Sequence, residues 1–131
     1  MPARVTFSNT DGVHAPTGLY SHTAVVAPGT GLLYLSGQVG VRPDGTFADG
    51  IAEQADQVFA NIVAHLRAHG LEAADIVKLT TFMVAGQDGD AVRAARRKHL
   101  GAHRPTSTAV FIAELVDPRW MVEVEAVAAM R

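Results

Sequence analysis

The sequence lacks cysteine altogether, has few aromatic residues and contains no long apolar run. Without cysteine the chain cannot form a disulfide, a thiolate nucleophile or a cysteine-ligated zinc site. Only five Phe, two Tyr and one Trp are present, and this small number argues against the aromatic stacking platform of an RNA-binding module. No stretch of about 18 apolar residues and no signal peptide is apparent, so we expect a soluble, cytoplasmic protein without a membrane-spanning segment.

Length and charge narrow the class of protein further. The 131 residues are 48% hydrophobic, which predicts one compact domain over residues 1–131 with a core of its own. The formal net charge of -2 argues against a dedicated nucleic-acid binder. Basic residues are nevertheless concentrated between positions 93 and 104, a segment without an acidic residue: Arg93, Arg96, Arg97, Lys98 and Arg104.

The order of the apolar patterns predicts an α+β fold. Short strand-like segments, "ARVTF", "HTAVV" and "GLLYLSGQVGV", fill the N-terminal third. Helical spacing over 51–66 predicts a first helix, capped by Asp49 and ended at Gly70, and a second helix is expected over about 91–100. One strand pattern separates the helices ("DIVKLTTFMV"), and two joined by a turn follow them ("TSTAVFIA" and "WMVEVEAVAAM"). This order, βββαβαββ, predicts a mixed sheet with both helices packed on one face.

The last predicted strand carries two carboxylates, Glu123 and Glu125, on one face. Because side chains alternate along a strand, the even-numbered apolar residues of 122–128 are expected to face the helices and both acids to face away from them. The strand just upstream, taken as the partner strand, offers Ser107 and Thr108 but no basic residue. A face that is half apolar and half acidic favours a homo-oligomer in which the sheets meet each other.

Five segments in register resemble one known family. They are "GLYSH" (18–22), "YLSGQVG" (34–40), "DIVKLTTFMV" (75–84), "RPTSTAV" (104–110) and "VEVEAVA" (122–128). Together they resemble the Rid family of reactive imine and enamine deaminases, also called YjgF and formerly described as translation inhibitors or L-PSP endoribonucleases. The resemblance implies a chorismate-mutase-like α+β fold and a homotrimer with a small-molecule cleft at each subunit interface. It also implies hydrolysis of reactive 2-imino or enamino acids, such as 2-aminoacrylate, to 2-keto acids and ammonia, without a metal or cofactor.

The resemblance also implies which residues line the cleft. Carried over position by position, they are Tyr20, Ser36, the backbone of Gly37, Ser107, Thr108 and Glu123. Hydrolysis of an imine needs a group that deprotonates water or protonates nitrogen, and a carboxylate can do both, so Glu123 is the expected catalytic residue. Gly37 interrupts a strand, which is typical of a bulge or a close backbone approach. Glu125 is expected to be secondary or structural.

One position departs from the pattern of the deaminase branch. The motif there reads Pro-Ala-Arg-Ser, and its arginine clamps the substrate carboxylate; here it reads Pro105, Thr106, Ser107 and Thr108. Losing a bidentate, charge-assisted pair removes on the order of 2–5 kcal/mol of binding in a desolvated site. Arg93 aligns with an asparagine of the family's cleft, so its guanidinium is a candidate for reaching the ligand from another direction.

Three functions therefore stay open at this point. The first is a Rid-type hydrolase, the second a non-catalytic trimer that binds a small metabolite in the same cleft, and the third an RNA-binding or ribonuclease module that uses the basic segment 93–104. The substitution of Ser107 for arginine favours the second, and the net negative charge argues against the third. His22 is a candidate proton shuttle, whereas His65 and His69 have the spacing of metal ligands without a third partner.

Overall fold

The computed structural model describes residues 3–131, and its elements follow the predicted order. The strands are β1 (Val5–Ser8), β2 (Thr23–Val26), β3 (Leu32–Val39), β4 (Ile76–Val84), β5 (Thr106–Ile112) and β6 (Val122–Ala129). The helices are α1 (Gly50–Ala68) and α2 (Gly89–Leu100), and a short 3-10 turn, Ala73–Asp75, precedes β4. Within residues 3–131, no helix combines the length and the apolar character that crossing a bilayer requires.

The strands form a four-stranded mixed sheet in the order β3-β6-β4-β5 and a separate antiparallel pair, β1-β2. The assumption that β5 and β6 pair with each other is wrong, because β4 lies between them. The connection through α2 makes β4 and β5 parallel neighbours, as a helical crossover does, and β6 pairs antiparallel with the other side of β4. The strand β5 is therefore an edge strand, two positions from β6.

Both helices lie on one face of this sheet, as predicted. The helix α1 packs against β3 and β6, and α2 packs against α1. The inward residues of β6 are those expected from the alternation, since Val122, Val124, Ala126 and Ala128 are at most 2% exposed. Between α2 and the strands β4 and β5 the helical layer is incomplete, which leaves space beside the sheet.

Three of the four helix ends carry a residue typical of a helix terminus in its usual role. Gly70 follows α1 with φ +71° and Gly101 follows α2 with φ +65°, a conformation that favours glycine. Asp88 caps α2, because its side chain accepts a hydrogen bond from the Asp90 amide at 2.9 Å. At the fourth end, Asp49 occupies the predicted N-cap position of α1, but its side chain makes no capping hydrogen bond.

Asp75 ties both ends of the chain to the sheet. Its side chain is buried, 4% exposed, and accepts hydrogen bonds from Arg4 and Arg131 and from the Glu72 amide. Burial alone raises the pKa of an aspartate, but these three bonds outweigh it and hold the pKa of Asp75 below its usual value. The charged form of Asp75 therefore stabilises the folded state.

We expect Asp75→Asn to lower the free energy of unfolding by about 2 kcal/mol at pH 7, because the two arginines lose a charged acceptor but stay partly hydrated. A carboxylate with a lowered folded-state pKa contributes stability above its unfolded pKa of about 3.9 and loses it as the pH falls through the folded value. The difference between the two proteins in urea unfolding should therefore stay constant down to about pH 5 and shrink as the pH falls further. A difference that is independent of pH would contradict this role.

Candidate functional site

A cavity of about 860 Å³ fills the space beside the sheet. Its walls are α2, the strands β4 and β5, and the segment 16–20. Four arginines line it, Arg93, Arg96, Arg97 and Arg104, and we call it the arginine cavity. No Asp or Glu is among the described residues that line it, so its charge is strongly positive.

The segment 16–20 is held against the start of β5 by its neighbour Ser21. The Ser21 amide donates to the Pro105 carbonyl at 3.0 Å, and the Ser21 hydroxyl donates to the Arg104 carbonyl at 2.6 Å. Ser21 is buried, which protects these bonds from water. The wall formed by the segment is therefore anchored at its C-terminal end.

Tyr20 lines the arginine cavity. Its hydroxyl oxygen accepts a hydrogen bond from the Thr17 amide at 3.2 Å and lies 3.4 Å from the Thr17 hydroxyl. The bond with the Thr17 hydroxyl, and then the bond with the amide, lower the pKa of Tyr20. Its ring packs edge to face on His22, whose Nε2 lies 2.7 Å from the His14 carbonyl oxygen.

Ser107 also lines the arginine cavity, and a guanidinium meets it there. Arg96 donates from Nη1 to the Ser107 hydroxyl at 3.2 Å and from Nη2 to the Leu19 carbonyl. Arg96 is half-buried, and burial lowers its pKa. Among residues 3–131 no carboxylate forms an ion pair with it. Arg96, on α2, thus places a positive charge beside Ser107, the position at which the deaminase motif has an arginine.

The sequence singled out Arg93 rather than Arg96. Arg93 does line the arginine cavity, but its side chain is 71% exposed and pairs with Asp90 on the same helix. Arg104 reaches the Gly18 carbonyl at 3.3 Å from the opposite wall. The i, i+3 spacing of Arg93 and Arg96, which puts them on one side of a helix, was the signal available in the sequence.

Glu123 lies on the opposite face of the sheet, beside a bulge in β3. The register between β3 and β6 shifts between Leu35 and Gln38, so β3 has one extra residue there. The Glu123 carboxylate covers Gly37, and a Cβ built at position 37 would lie only 2.1 Å from Glu123 Oε2. The glycine is therefore required for this position of the carboxylate, as its place inside a strand indicated.

The Glu123 carboxylate has no partner within residues 3–131, because it makes neither a hydrogen bond nor an ion pair there. Burial, and then repulsion by Glu125, raise the pKa of Glu123 above its usual value. Glu125 is exposed on the same face, two residues along β6. Glu123 is consequently a carboxyl group that exchanges its proton closer to neutral pH than an ordinary glutamate.

The predicted site residues therefore form two groups on opposite faces of the sheet. Tyr20, Arg93 and Ser107 line the arginine cavity on the helical side. Ser36 and Gly37 lie with Glu123 at the bulge on the other side, and these three residues form what we call the carboxylate patch.

Thr108, next to Ser107 in β5, also faces away from the helices and accepts a hydrogen bond from Lys78 Nζ at 2.7 Å. A small molecule in the arginine cavity is thus separated from Glu123 of the same chain by the sheet.

The histidines with metal-like spacing are engaged in other contacts. His65 Nε2 lies 3.1 Å from Gln38 Oε1, and His69 Nδ1 lies 3.0 Å from the His65 carbonyl oxygen. Across residues 3–131, no group of three or more His, Asp or Glu side chains is arranged to hold a metal ion.

The architecture, two helices on one face of a mixed sheet with a cavity beside it, is that of an α+β protein. The protein family described as Endoribonuclease L-PSP matches residues 12–130. The solved structure of the Rid-family protein YyfB from Yersinia pestis has a TM-score of 0.85 to this chain, with coverage of 98% of this chain and 100% of that one. At 24% identity this likeness shows the fold alone. On the family match, the chain belongs to the endoribonuclease L-PSP family, which is the Rid or YjgF family.

Two curated relatives extend the comparison. A 2-iminobutanoate/2-iminopropanoate deaminase from Dermatophagoides farinae is 30% identical over 117 residues, which cover 88% of this chain and 88% of the relative. A RutC family protein from Aquifex aeolicus is 39% identical over 69 residues, so the match spans 53% of that protein. The resemblance inferred from five short segments is therefore confirmed at the level of the family.

Proposed function

We propose that this chain hydrolyses a small 2-imino or enamino acid to a 2-keto acid and ammonia, in a cleft between copies of a homotrimer. The single observation that carries the proposal is the Glu123 carboxylate, which is unpartnered within residues 3–131, has a raised pKa and is positioned by Gly37. Family membership and the deaminase relative at 30% identity support the same reaction.

Hydrolysis of an imine moves two protons from water to nitrogen. Water adds to the imine carbon, and the carboxylate of Glu123 takes one of its protons and passes it to the nitrogen. When the carbon–nitrogen bond breaks, the new hydroxyl becomes the carbonyl, and its proton leaves with the nitrogen as ammonia. A carboxyl group with a raised pKa suits both halves of this transfer, because its ionised form is a stronger base than an ordinary glutamate and its pKa is closer to the working pH.

The proposed site needs two copies of the chain, because the arginine cavity and the carboxylate patch lie on opposite faces of the sheet. In a cyclic trimer the interface is heterologous, so one surface of each copy meets a different surface of the next. The carboxylate patch of one copy then meets the arginine cavity of its neighbour. The sheet face that carries Glu123 also exposes apolar surface, with Tyr34 74% exposed and Val110 38% exposed, which association would bury.

A metabolite-binding trimer without catalysis is the second candidate. Ser107 favours it, because the deaminase branch has its carboxylate-binding arginine at this position. The two candidates share the cavity and the assembly and differ only in whether Glu123 transfers a proton.

The test is turnover of 2-iminopropanoate, generated in place by an amino-acid oxidase, with the appearance of keto acid followed above the uncatalysed rate. We expect the wild type to accelerate it and Gly37→Ala to lower the acceleration on the order of 10²-fold, because the added Cβ displaces the Glu123 carboxylate. Gly31→Ala, whose Cβ meets Met130 at 3.4 Å, is the matched control and should keep its activity. No acceleration by a folded wild-type protein on any small imino acid would leave the binding function in its place.

A further inference from the structure

We infer that the arginine cavity selects ligands with two carboxylates, so that the substrate is a 2-imino dicarboxylate rather than a 2-imino monocarboxylate. The inference rests on the proposed function and names its substrate class. Three observations carry it: the environment of Arg96, the number of arginines around the cavity, and the size of the cavity.

Arg96 is the candidate for binding the carboxylate next to the imine. It is half-buried and charged, and its two hydrogen bonds go to neutral oxygens of Ser107 and Leu19. A guanidinium has five N–H donors, and a partly buried charge is normally compensated by an opposite charge. Because no carboxylate pairs with it among residues 3–131, a ligand carboxylate in the cavity is the group that would complete its environment.

Three further arginines exceed what one carboxylate needs. Arg93 and Arg97 stand three residues before and one residue after Arg96 on α2, and all three line the cavity. Arg104 faces them from the start of β5, held by the Gly18 carbonyl. Among residues 3–131, only the exposed pair of Arg93 with Asp90 neutralises any of this charge. Like charges that line one cavity repel one another, so a second anionic group is favoured beside these arginines.

The size of the cavity agrees with a ligand larger than a three-carbon acid. Its volume of about 860 Å³ lies toward the upper end of the range of about 300–1,000 Å³ that is typical of small-molecule sites. A cavity of this volume accommodates a five- or six-carbon chain with a carboxylate at each end, and four arginines line it. Guanidinium groups recognise carboxylates in a bidentate manner, which gives the selection its geometry.

Binding of keto-acid products tests the inference without turnover. The probes are 2-oxoglutarate and 2-oxopentanoate, which have the same number of carbons and differ by one carboxylate, measured by calorimetry at low ionic strength. We expect the wild type to bind 2-oxoglutarate at least about tenfold more tightly, a difference of about 1.4 kcal/mol. The double variant Arg93→Gln/Arg97→Gln should lose this preference, because it should weaken the binding of 2-oxoglutarate far more than the binding of 2-oxopentanoate. Arg96→Gln should weaken the binding of both.

Controls separate a specific site from general attraction. Arg67→Gln removes one charge from an exposed position of α1 outside the cavity and should leave both affinities unchanged. Arg96→Lys keeps the positive charge but loses the planar, bidentate geometry of the guanidinium. Its affinity for the keto acids should therefore lie between those of the wild type and Arg96→Gln. Melting curves of every variant show whether the fold is retained, and both altered residues of the double variant are exposed.

The outcomes distinguish this inference from the proposed function. Equal affinity for the two keto acids, or tighter binding of inorganic phosphate than of either, would overturn the dicarboxylate. Turnover of 2-iminopropanoate that exceeds turnover of a 2-imino dicarboxylate would also overturn it and would leave the proposed function standing. Preferential binding of 2-oxoglutarate without turnover of any imino acid would support the ligand class and remove the hydrolase.

Discussion

Glu123→Gln is expected to lower kcat for imine hydrolysis by about 10²–10⁴-fold, the range that a positioned general acid or base contributes. Glutamine has nearly the same shape and keeps the contact with Gly37, but it can neither accept a proton from water nor return one to nitrogen. The loss should therefore appear in kcat, with little change in the binding of a keto-acid product. Steady-state kinetics together with product binding by calorimetry measure both quantities.

Glu125→Gln is the matched control, since this residue lies on the same face of β6 and is exposed. We expect its kcat to stay within about threefold of the wild-type value at high pH, because the group does not reach the reacting atoms. Glu123 must be ionised to accept a proton, so kcat/KM should fall as the pH drops through its raised pKa. Because Glu125 contributes to raising that pKa, Glu125→Gln should move the acidic limb to lower pH. Equal losses from the two substitutions would show that the acids act as a structural pair.

Periodicity made most of the fold predictable. The 3.6-residue pattern over 51–66 and the alternation in β6 each describe one element whose buried face is decided by its own sequence. The same alternation placed Glu123 and Glu125 on the outer face, where the structure has them. Gly37 was informative for a related reason, since a glycine inside a strand has few explanations other than a bulge or a close approach.

The neighbours of each strand were not predictable in this way. Hydrogen bonds between strands leave no periodic trace in either sequence, so β5 was assigned to β6 although β4 lies between them. The topology, a parallel β4-α2-β5 unit, depends on how the helix returns to the sheet. The consequence for the site is large, because the register of these strands pairs Ser107 with Leu79 on the helical face and Glu123 with Phe82 on the other face.

Arg96 was missed as a site residue for a similar reason. Its contacts join three distant segments, α2, the start of β5 at Ser107 and the loop at Leu19. A sequence shows the run of arginines but not which one meets Ser107. Arg93 aligned with a cleft position of the family, yet in the structure its nearest charged partner is Asp90 on its own helix.

Mixed oligomers of two inactive variants should recover activity if each site combines two copies. Arg96→Gln is expected to be nearly inactive, since losing a charge-assisted pair with a buried ligand group costs about 2–5 kcal/mol. A Glu123→Gln copy still has an intact arginine cavity, and an Arg96→Gln copy still has an intact carboxylate patch. In a ring, the interface where these two intact surfaces meet is a complete site.

The recovered fraction reports the assembly as well as the site. The two variants are co-expressed with different affinity tags, and oligomers that carry both tags are isolated and assayed. Every mixed trimer, whether it holds two copies of one variant or two of the other, has one wild-type interface in three, so about one third of wild-type kcat per site is expected. A mixed dimer would recover about half by the same reasoning. Recovery no greater than the sum of the separate variants would mean that Glu123 and Arg96 do not share a site, and it would overturn the intersubunit cleft.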